Sequence, residues 1–446
     1  MSSSISGQHV HLRIESLAHG GAGVAHHEGM AIFVPGTVPS DLVEAEITEI
    51  ARRFARARLL SVVEPSPSRV APQCAHFSEC GGCDWQMMDY AAQLKAKTEI
   101  VRDCLVRIGR FPDPPLLDIL PAPQVWRYRN KAEFAVGEFA GRKVVGYLRP
   151  GSHQALPISE CALQHPINIK LLHTMQELLA CPGAPALVQV IGRVSFATNQ
   201  ALAILVTPGE IAELHSLLEP LCTRLPELVG VLGATTKRRP LPYRSRAASL
   251  WGRTWLLEQV GAWQFRVSAD SFLQINSPQN LCLLETVIAE STVPAKPVML
   301  DGYCGVGMFT VPLGANSKTI HAVEANEVTL HDLRHNLDRY RLHHAHPWSG
   351  RVERILPRLA DRGVRAQVLV LDPPRSGCGN VALIAAVRLD PQRIIMISCD
   401  PATLARDLRL LSDLGYELEK VIPVDLFPQT WHVECVAACK RAVGDP

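Results

Sequence analysis

The C-terminal part of the chain alternates short apolar runs with amphipathic segments, and this pattern constrains the fold more than any other feature. The apolar runs occupy residues 297–301, 319–324, 366–372 and 393–399. Stretches with apolar residues every three or four positions lie between them, for example at 327–340. Strands that alternate with helices predict a doubly wound α/β domain with a parallel sheet. We expect this domain to occupy residues 266–446.

Two of these runs end in residues suited to ligand binding, and ligands of open α/β sheets gather at the carboxyl ends of the strands. The glycine-rich turn Asp301-Gly-Tyr-Cys-Gly-Val-Gly-Met-Phe309 follows the first run, and Glu324 closes the second. Glycines allow close backbone approach to a ligand, and an acid about 20 residues further on can accept ribose hydroxyls. Dehydrogenases share such a turn. The Asp372-Pro-Pro-Arg375 motif is instead typical of methyltransferases that use S-adenosylmethionine.

The fourth run ends at Cys399, after which Asp400-Pro401 opens a helix-like stretch at 402–414. A free cysteine is more often a small buried residue than a nucleophile. Because this thiol follows a predicted strand at the ligand-binding edge, we treat Cys399 as a candidate nucleophile.

Residues 1–64 have a different pattern. Short alternating runs at 9–14, 30–34 and 42–47 are separated by turns rich in glycine and proline. This arrangement predicts a small all-β barrel. Pro65-Ser-Pro-Ser68 reads as a linker, so that a central domain occupies residues 65–265.

The central region carries the cysteine pattern Cys74-x5-Cys80-Gly-Gly-Cys83, with Cys161 far downstream. Four thiolates can complete a structural zinc site or hold an iron–sulfur cluster, and the spacing alone fits both. The chain has 13 cysteines and no basic, apolar start typical of a secretory signal. Metal binding or catalysis is therefore expected in place of disulfides, and the location is expected to be cytoplasmic. The cysteines at 104, 181, 222, 282 and 439 are expected in the core.

Basic residues form local clusters although the net charge is only +2. One group lies at Arg52, Arg53, Arg56 and Arg58, and another at Lys237-Arg238-Arg239 with Arg244 and Arg246. Trp126-Arg-Tyr-Arg-Asn-Lys131 interleaves aromatic and basic residues, which suits phosphate neutralisation and base stacking, or an exposed edge strand. No apolar run of 18 residues is present, so no membrane partner is expected.

Five motifs together resemble the RNA 5-methyluridine (uracil-C5) methyltransferases over nearly the whole chain, and residues 1–64 resemble the TRAM domain. The motifs are Cys-x5-Cys-Gly-Gly-Cys-x-Trp-Gln86, Ala269-Asp-Ser-Phe-Leu-Gln-Ile-Asn276, Asp372-Pro-Pro-Arg-Ser-Gly377, Ile397-Ser-Cys-Asp-Pro-Ala402 and Phe427-Pro-Gln-Thr-Trp-His-Val-Glu434. The resemblance implies a multidomain α/β protein. Its parts are an oligonucleotide-binding-like TRAM barrel, a central α+β RNA-binding domain with an iron–sulfur site, and a Rossmann-like class I methyltransferase domain.

The resemblance also implies the site residues. A 4Fe–4S cluster would be held by Cys74, Cys80, Cys83 and Cys161. S-adenosyl-L-methionine would be bound by Gln274, Tyr303, Glu324 and Asp372. The resemblance also makes contact with RNA the favoured interpretation of the Trp126–Lys131 motif.

The implied chemistry uses Cys399 as nucleophile and Glu434 as base. A thiolate that adds to C6 of uracil makes C5 nucleophilic enough to accept the methyl group, after which a base removes the C5 proton. Strand alternation would put His432 on the same face as Glu434, which makes it the rival base. Arg375 is a candidate for holding a uracil carbonyl or a phosphate.

Three positions depart from the family pattern. Gly302 replaces a common leucine, Met308 stands where asparagine often helps to hold the donor, and Asp400 replaces a frequent asparagine. We expect the extra carboxylate of Asp400 to raise the pKa of the Cys399 thiol.

The expected reaction is C5 methylation of a uridine in 23S ribosomal RNA by a monomer. Relatives that act on transfer RNA typically lack the cysteine cluster and the barrel, so transfer RNA is the second choice. A nicotinamide oxidoreductase would use the glycine turn but leave Cys399 and Glu434 idle. If the protein were a non-catalytic RNA-binding protein, Cys399→Ala would change no measurable property.

Overall fold

The computed structural model describes residues 7–139, 141–236 and 247–442. The basic cluster predicted at Lys237–Arg239, Arg244 and Arg246 lies outside these residues. Among the described residues, no helix has both the length and the apolar character needed to cross a bilayer.

The N-terminal strands form one six-stranded sheet in the order β1-β5-β6-β4-β3-β2. Side chains of β1 alternate between exposed and buried, as expected when one face of a sheet covers a core. The strands are β1 His9–Arg13, β2 Ser16–Leu17, β3 Gly23–His27, β4 Met30–Val34, β5 Leu42–Ile50 and β6 Phe54–Glu64.

The middle of the chain forms a seven-stranded sheet in the order β13-β12-β11-β10-β7-β8-β9, followed by the separate hairpin β14-β15. Helices α2 and α3 cover an apolar core on this sheet. The elements are α1 Tyr90–Arg107, β7 Lys131–Phe139, β8 Arg142–Leu148, β9 Ala155–Pro157, α2 Pro166–Ala180, β10 Gln189–Val194, β11 Ala201–Thr207, a 3-10 helix Ile211–Leu217, α3 Leu218–Arg224, β12 Leu228–Thr235, β13 Ala248–Gly252, β14 Trp255–Val260 and β15 Trp263–Ser268.

The C-terminal sheet has seven strands in the order β18-β17-β16-β19-β20-β22-β21. Strands β16 to β20 pair in parallel, as the alternating pattern predicts, and β22 runs antiparallel to β20 and β21. The elements are a 3-10 helix Ser277–Gln279, α4 Asn280–Glu290, β16 Val298–Gly302, α5 Thr310–Ala315, β17 Thr319–Glu324, α6 Glu327–Arg339, β18 Ala345–Ser349, α7 Val352–Asp361, β19 Val368–Leu371, α8 Gly379–Arg388, β20 Arg393–Ser398, α9 Pro401–Asp413, β21 Tyr416–Val424 and β22 Glu434–Arg441.

Helix α1 belongs spatially to the C-terminal sheet although it comes before the central sheet in sequence. Its buried residues Ile100 and Val101 share one core with Leu300 and Leu408. Lys97 of α1 is fully buried and its ammonium lies 2.6 Å from the carboxylate of Asp425, which is also fully buried. A buried pair of this kind leaves a costly unpaired charge if either partner is lost, so it fixes α1 against the chain that follows β21.

Candidate active site

The carboxyl ends of four neighbouring strands bring the candidate residues to one edge of the C-terminal sheet. Asp301 lies near the end of β16, Glu324 ends β17, Asp372 follows β19 and Cys399 follows β20. Because these neighbouring strands pair in parallel, their carboxyl ends lie side by side at the same edge of the sheet.

Glu324 lies in a cleft of about 430 Å³ that it shares with Tyr303 and the chain around Gly350. Its carboxylate accepts hydrogen bonds from the backbone N–H groups of Gly305 at 3.0 Å and Asn326 at 2.7 Å. These bonds hold the carboxylate beside the glycine-rich turn, at the position where an acid binds ribose hydroxyls in related folds.

Tyr303 connects this cleft with a second one, which Phe272, Gln274, Met308 and Asp372 also line. The φ of Tyr303 is +64°, a backbone conformation that is uncommon for residues other than glycine. Its hydroxyl donates to the Glu353 carboxylate at 2.9 Å. The four residues predicted to bind the methyl donor therefore surround two adjoining clefts.

Two of the departures from the family pattern lie here. Met308 is buried in the second cleft, where its thioether offers no amide hydrogen bonds to a ligand. At Gly302 a Cβ atom would lie only 2.7 Å from Cδ2 of Leu371, so the leucine common at this position would require Leu371 to move.

Some groups around the Cys399 thiol raise its pKa and others lower it. Burial, then the carboxyls of Glu434 and Asp372, raise its pKa to about 12. The Arg375 guanidinium opposes them by its charge and by a hydrogen bond to the sulfur. The thiol of the free protein is therefore protonated at neutral pH, and Arg375 is the group that favours the thiolate.

Glu434 and Asp372 are the two carboxyls next to this thiol. Glu434 is 1% exposed, and its Oε2 has no hydrogen-bond partner among the described residues. Burial and the neighbouring Asp372 raise the pKa of Glu434 well above its ordinary value, against the opposing charge of Arg375. Burial and Asp301 raise the pKa of Asp372 to about 8. Because the charge of Asp372 acts on Glu434 in this way, the two carboxyls cannot readily ionise together.

His432 differs from its sequence-based description. Strand β22 begins only at Glu434, and residues 431–433 are irregular, so the argument from strand alternation does not apply to them. Burial and the charge of Arg375 lower the pKa of His432 to about 3. A neutral imidazole with so low a pKa is a weak base at neutral pH.

Asp400 also behaves differently from expectation. Its Oδ1 accepts a hydrogen bond from the backbone N–H of Thr403 at 2.9 Å and caps α9, so that this helix begins at Pro401. Burial opposes its ionisation, but hydrogen bonds from His19 and Thr403 lower its pKa to about 2. The carboxyls that raise the pKa of Cys399 are instead Glu434 and Asp372, because Asp400 is turned toward other partners.

Residues 425–432, here called the catalytic segment, are held by groups that sequence reasoning did not single out. The carbonyl of Gln429 accepts from the backbone N–H groups of Asp84 and Trp85, both at 3.1 Å. Lys97 donates to the carbonyl of Phe427 at 2.9 Å. These partners are far apart in sequence, and no local pattern reveals them.

Two residues of the motif Trp126–Lys131 are buried in contacts within the protein. Tyr128 is fully buried and donates to the carbonyl of Pro428 at 2.9 Å, and Asn130 is 2% exposed and donates to the carbonyl of Gln274. The prediction that this motif contacts RNA is therefore wrong for both residues, because neither can reach a base.

The four cysteines predicted as ligands line one small cavity together with Arg129: they are Cys74, Cys80, Cys83 and Cys161. Burial raises the pKa of Cys83 to about 12, against the charge of Arg129, whose Nε is buried without a partner in the described structure. No three His, Cys, Asp or Glu side chains in the described ranges are grouped so as to hold a single metal ion. The four thiols surround this cavity beside the Arg129 guanidinium. That donor set suits an anionic cluster with four thiolate ligands.

Of the cysteines assigned to the core, Cys104 and Cys439 are buried, and Cys222 and Cys282 are partly buried. Cys181 is exposed, so its assignment to the core is wrong. It directly follows the last residue of α2, Ala180.

Comparison with known proteins gives consistent matches along the chain. Residues 4–60 match the TRAM domain, and residues 350–442 match the family model described as tRNA (Uracil-5-)-methyltransferase. An uncharacterised RNA methyltransferase of Halalkalibacterium halodurans is 34% identical over 439 residues, with 96% of each chain covered. One from Gloeobacter violaceus is 34% identical, with 98% of each chain covered.

Among solved structures, the tRNA (uracil-54, C5)-methyltransferase of Pyrococcus abyssi, in complex with S-adenosyl-L-homocysteine, has a similar fold. The TM-score is 0.76 at 23% identity, and the match covers 96% of this chain and all of that one. The relatives that match nearly the whole chain, together with the two matched family models, place it in the TRAM-containing family of RNA (uracil-5-)methyltransferases.

Proposed function

We propose that this enzyme methylates C5 of a uridine in 23S ribosomal RNA, with Cys399 as nucleophile and Glu434 as base. The observation that carries this proposal is the convergence of Cys399, Arg375, Asp372 and Glu434 at one edge of the sheet. Asp372 also lines the cleft of Gln274 and Tyr303, so the reacting groups adjoin the space assigned to S-adenosylmethionine.

The reaction begins when the Cys399 thiol gives up its proton to solvent water and the thiolate adds to C6 of uracil. The ring becomes an enolate, and C5 attacks the methyl carbon of the sulfonium, which leaves S-adenosylhomocysteine. Glu434 then takes the proton from C5, the C5–C6 double bond re-forms and the C6–S bond breaks. The target base must leave its stack to reach a thiol this deep, at a cost of about a few kcal/mol.

Glu434 is the better base because its surroundings raise its proton affinity. Once it has ionised, a carboxylate that burial and Asp372 make more basic is matched to a weakly acidic carbon proton. Arg375 lies beside both the thiol and His432, within 3.4 Å of the latter's Nε2. Arg375 is thus suited to stabilise the thiolate and to hold a uracil carbonyl as negative charge develops.

The cysteine cavity is proposed to hold a 4Fe–4S cluster on Cys74, Cys80, Cys83 and Cys161. The reaction transfers no net electrons, and these cysteines lie on different elements from Cys399, so the role assigned to the cluster is structural. Arg129 would compensate its negative charge.

Transfer RNA is the second candidate substrate, and a specific observation favours it. The Pyrococcus abyssi protein, named for a transfer RNA uridine, matches along its whole length. A fold of this extent therefore does not by itself indicate ribosomal RNA, and the proposal for ribosomal RNA depends on the cysteine cluster. A monomer and a cytoplasmic location remain parts of the proposal. So does the division of the sequence at 1–64, 65–265 and 266–446, although helix α1 of the middle range packs in the core of the C-terminal sheet.

The test is methyl transfer from labelled S-adenosylmethionine to unmodified ribosomal and transfer RNA transcripts in one tube, with anaerobically purified protein. We expect label in ribosomal uridines, and none with Cys399→Ala. Label in transfer RNA alone would keep the chemistry and overturn the substrate. Undiminished label with Cys399→Ala would overturn the nucleophile.

A further inference from the structure

A loop of the N-terminal sheet contacts two segments of the C-terminal domain, one next to Cys399 and one next to Glu434. We call residues 18–22, which join β2 to β3, the His19 loop. His19 Nε2 lies 3.3 Å from Oδ2 of Asp400, the residue that follows Cys399. The ring of His19 also meets that of Trp431 edge to face, with centroids 4.8 Å apart. One loop therefore contacts the segments that carry both Cys399 and Glu434.

The loop is fixed at this place by close packing and by a hydrogen bond. Gly21 has a φ of +86°, and a Cβ atom on it would lie 2.9 Å from Cδ1 of Trp431. Its carbonyl accepts a hydrogen bond at 3.1 Å from Nε1 of Trp85, which is fully buried. Only a glycine allows the loop to approach Trp431 so closely.

The contact with His19 determines where the charge of Asp400 points. Oδ1 of Asp400 is engaged by the backbone N–H of Thr403, and Oδ2 faces His19. Both oxygens are thus occupied by groups other than the adjacent thiol. Without His19, Oδ2 of Asp400 would be free to turn toward the adjacent thiol, where a carboxylate opposes formation of the thiolate.

We propose that His19 is a positioning residue of the active site, which keeps the Asp400 carboxylate away from the Cys399 thiol, and that the His19 loop orients Trp431. The N-terminal domain would then complete the catalytic centre in addition to any contact with RNA. This inference rests on the proposed roles of Cys399 and Glu434.

The first test measures the rate at which iodoacetamide alkylates Cys399, resolved by peptide mass spectrometry, across pH and without RNA. The groups that face the thiol, Glu434, Asp372 and Arg375, stay unchanged in every variant. We expect His19→Gln to slow alkylation about threefold near pH 8, since Oδ2 of Asp400 loses the ring nitrogen that holds it away from the thiol. In an Asp400→Asn background the same change should have no effect.

The control for this test is His26→Gln, which removes a histidine that pairs with Glu15 in the same sheet. We expect Cys399 of this variant to be alkylated at the wild-type rate. An equal slowing by His19→Gln in both backgrounds would show a general structural effect and overturn the positioning role. No slowing in either background would overturn it as well.

The second test concerns packing and compares two adjacent glycines. Gly20 and Gly21 both have positive φ, +100° and +86°, but a Cβ on Gly20 meets nothing within 4 Å. Gly20→Ala and Gly21→Ala therefore carry similar backbone strain, and only the second displaces Trp431. We expect Gly21→Ala to lower kcat for methyl transfer about fivefold or more relative to Gly20→Ala, with RNA affinity unchanged.

Equal kcat in the two alanine variants would contradict the role of the loop in orienting Trp431. If wild-type protein transferred no methyl group to any RNA, the proposed function would fail. The alkylation rates would still report on His19, because they require neither RNA nor the methyl donor.

Discussion

Gln93 and Gln429 exchange two hydrogen bonds although 336 positions separate them: Gln93 Nε2 donates to Gln429 Oε1 at 3.0 Å, and the Gln429 backbone N–H donates to Gln93 Oε1 at 2.9 Å. Gln429 is buried with a φ of +70°, a conformation that needs support from its surroundings. This pair attaches the catalytic segment to helix α1.

We therefore expect Gln93→Ala to loosen the catalytic segment. The variant should lose about 1–3 kcal/mol of stability because buried polar groups lose their partner. It should also lower kcat about tenfold with little change in KM for RNA, because Glu434 lies only two residues beyond this segment. Urea unfolding and steady-state kinetics measure the two effects.

The matched control is Gln176→Ala in helix α2. Gln176 also makes two hydrogen bonds, to the carbonyls of Val145 and Ile158, both at 2.9 Å. It should lose comparable stability and retain kcat. Equal loss of kcat in the two variants would argue that the Gln93–Gln429 pair has no special relation to catalysis.

Arg375 should control the reactivity of Cys399. Its removal in Arg375→Gln takes away the charge and the hydrogen bond that lower the pKa of this thiol. Methyl transfer at neutral pH should fall about tenfold or more and recover in part as pH rises, whereas Arg375→Lys should retain more activity. The pH profile of kcat checks this. Arg388→Gln, at an exposed pair with Asp361, serves as control.

A profile for Arg375→Gln that is lower but parallel to wild type across pH would be inconsistent with this account. It would indicate that Arg375 contributes through substrate binding alone.

The raised pKa of Asp372 predicts how stability depends on pH. An unfolded aspartate has a pKa near 3.9, whereas that of Asp372 in the folded protein is about 8. Between these values the folded state binds more protons, so stability must fall as pH rises from about 4 to about 8. Asp372→Asn should remove part of this decline and raise the free energy of unfolding near pH 8 by about 2 kcal/mol.

Thermal unfolding of ligand-free protein between pH 5 and 9 measures this effect. Asp361→Asn, at the exposed pair with Arg388, should leave the slope unchanged. A slope for Asp372→Asn as steep as that of wild type would contradict the assignment of a protonated Asp372.

The sequence predicted the parts of the fold and site that depend on local pattern. Strands β4 and β17 have the predicted bounds, and the parallel pairing of β16 to β20 puts Glu324, Asp372 and Cys399 at one edge. Apolar residues that recur every two or every 3.6 positions indicate a strand or helix with one buried face. The alternation of strands and helices along the chain predicts that the strands pair in parallel.

Contacts between distant segments could not be predicted in this way. Tyr128 was assigned to an RNA-facing surface because aromatic and basic residues alternate around it, yet it is buried against Pro428. The bond of Asp400 to His19 and the packing of Trp431 on Gly21 depend on how the N-terminal sheet docks. Such docking leaves no periodic signal in a single sequence.

The cysteine cavity provides a further prediction. Cys83→Ser should lower the iron and acid-labile sulfide content of anaerobically purified protein, because one of four thiolate ligands is lost. Cys181→Ser, at an exposed cysteine outside the cavity, should retain the wild-type content. If both proteins contained zinc and no iron, the prediction of a cluster would be wrong and the cavity would be a structural zinc site.

The most direct test of the account is to trap the covalent intermediate with Glu434→Gln. Incubated with substrate RNA and S-adenosylmethionine, this variant should accumulate a protein–RNA adduct on a denaturing gel, because C5 is methylated but its proton is not removed. The adduct should map to Cys399 and disappear in the double variant with Cys399→Ala. Normal turnover by Glu434→Gln, or an adduct at another residue, would contradict the proposed mechanism.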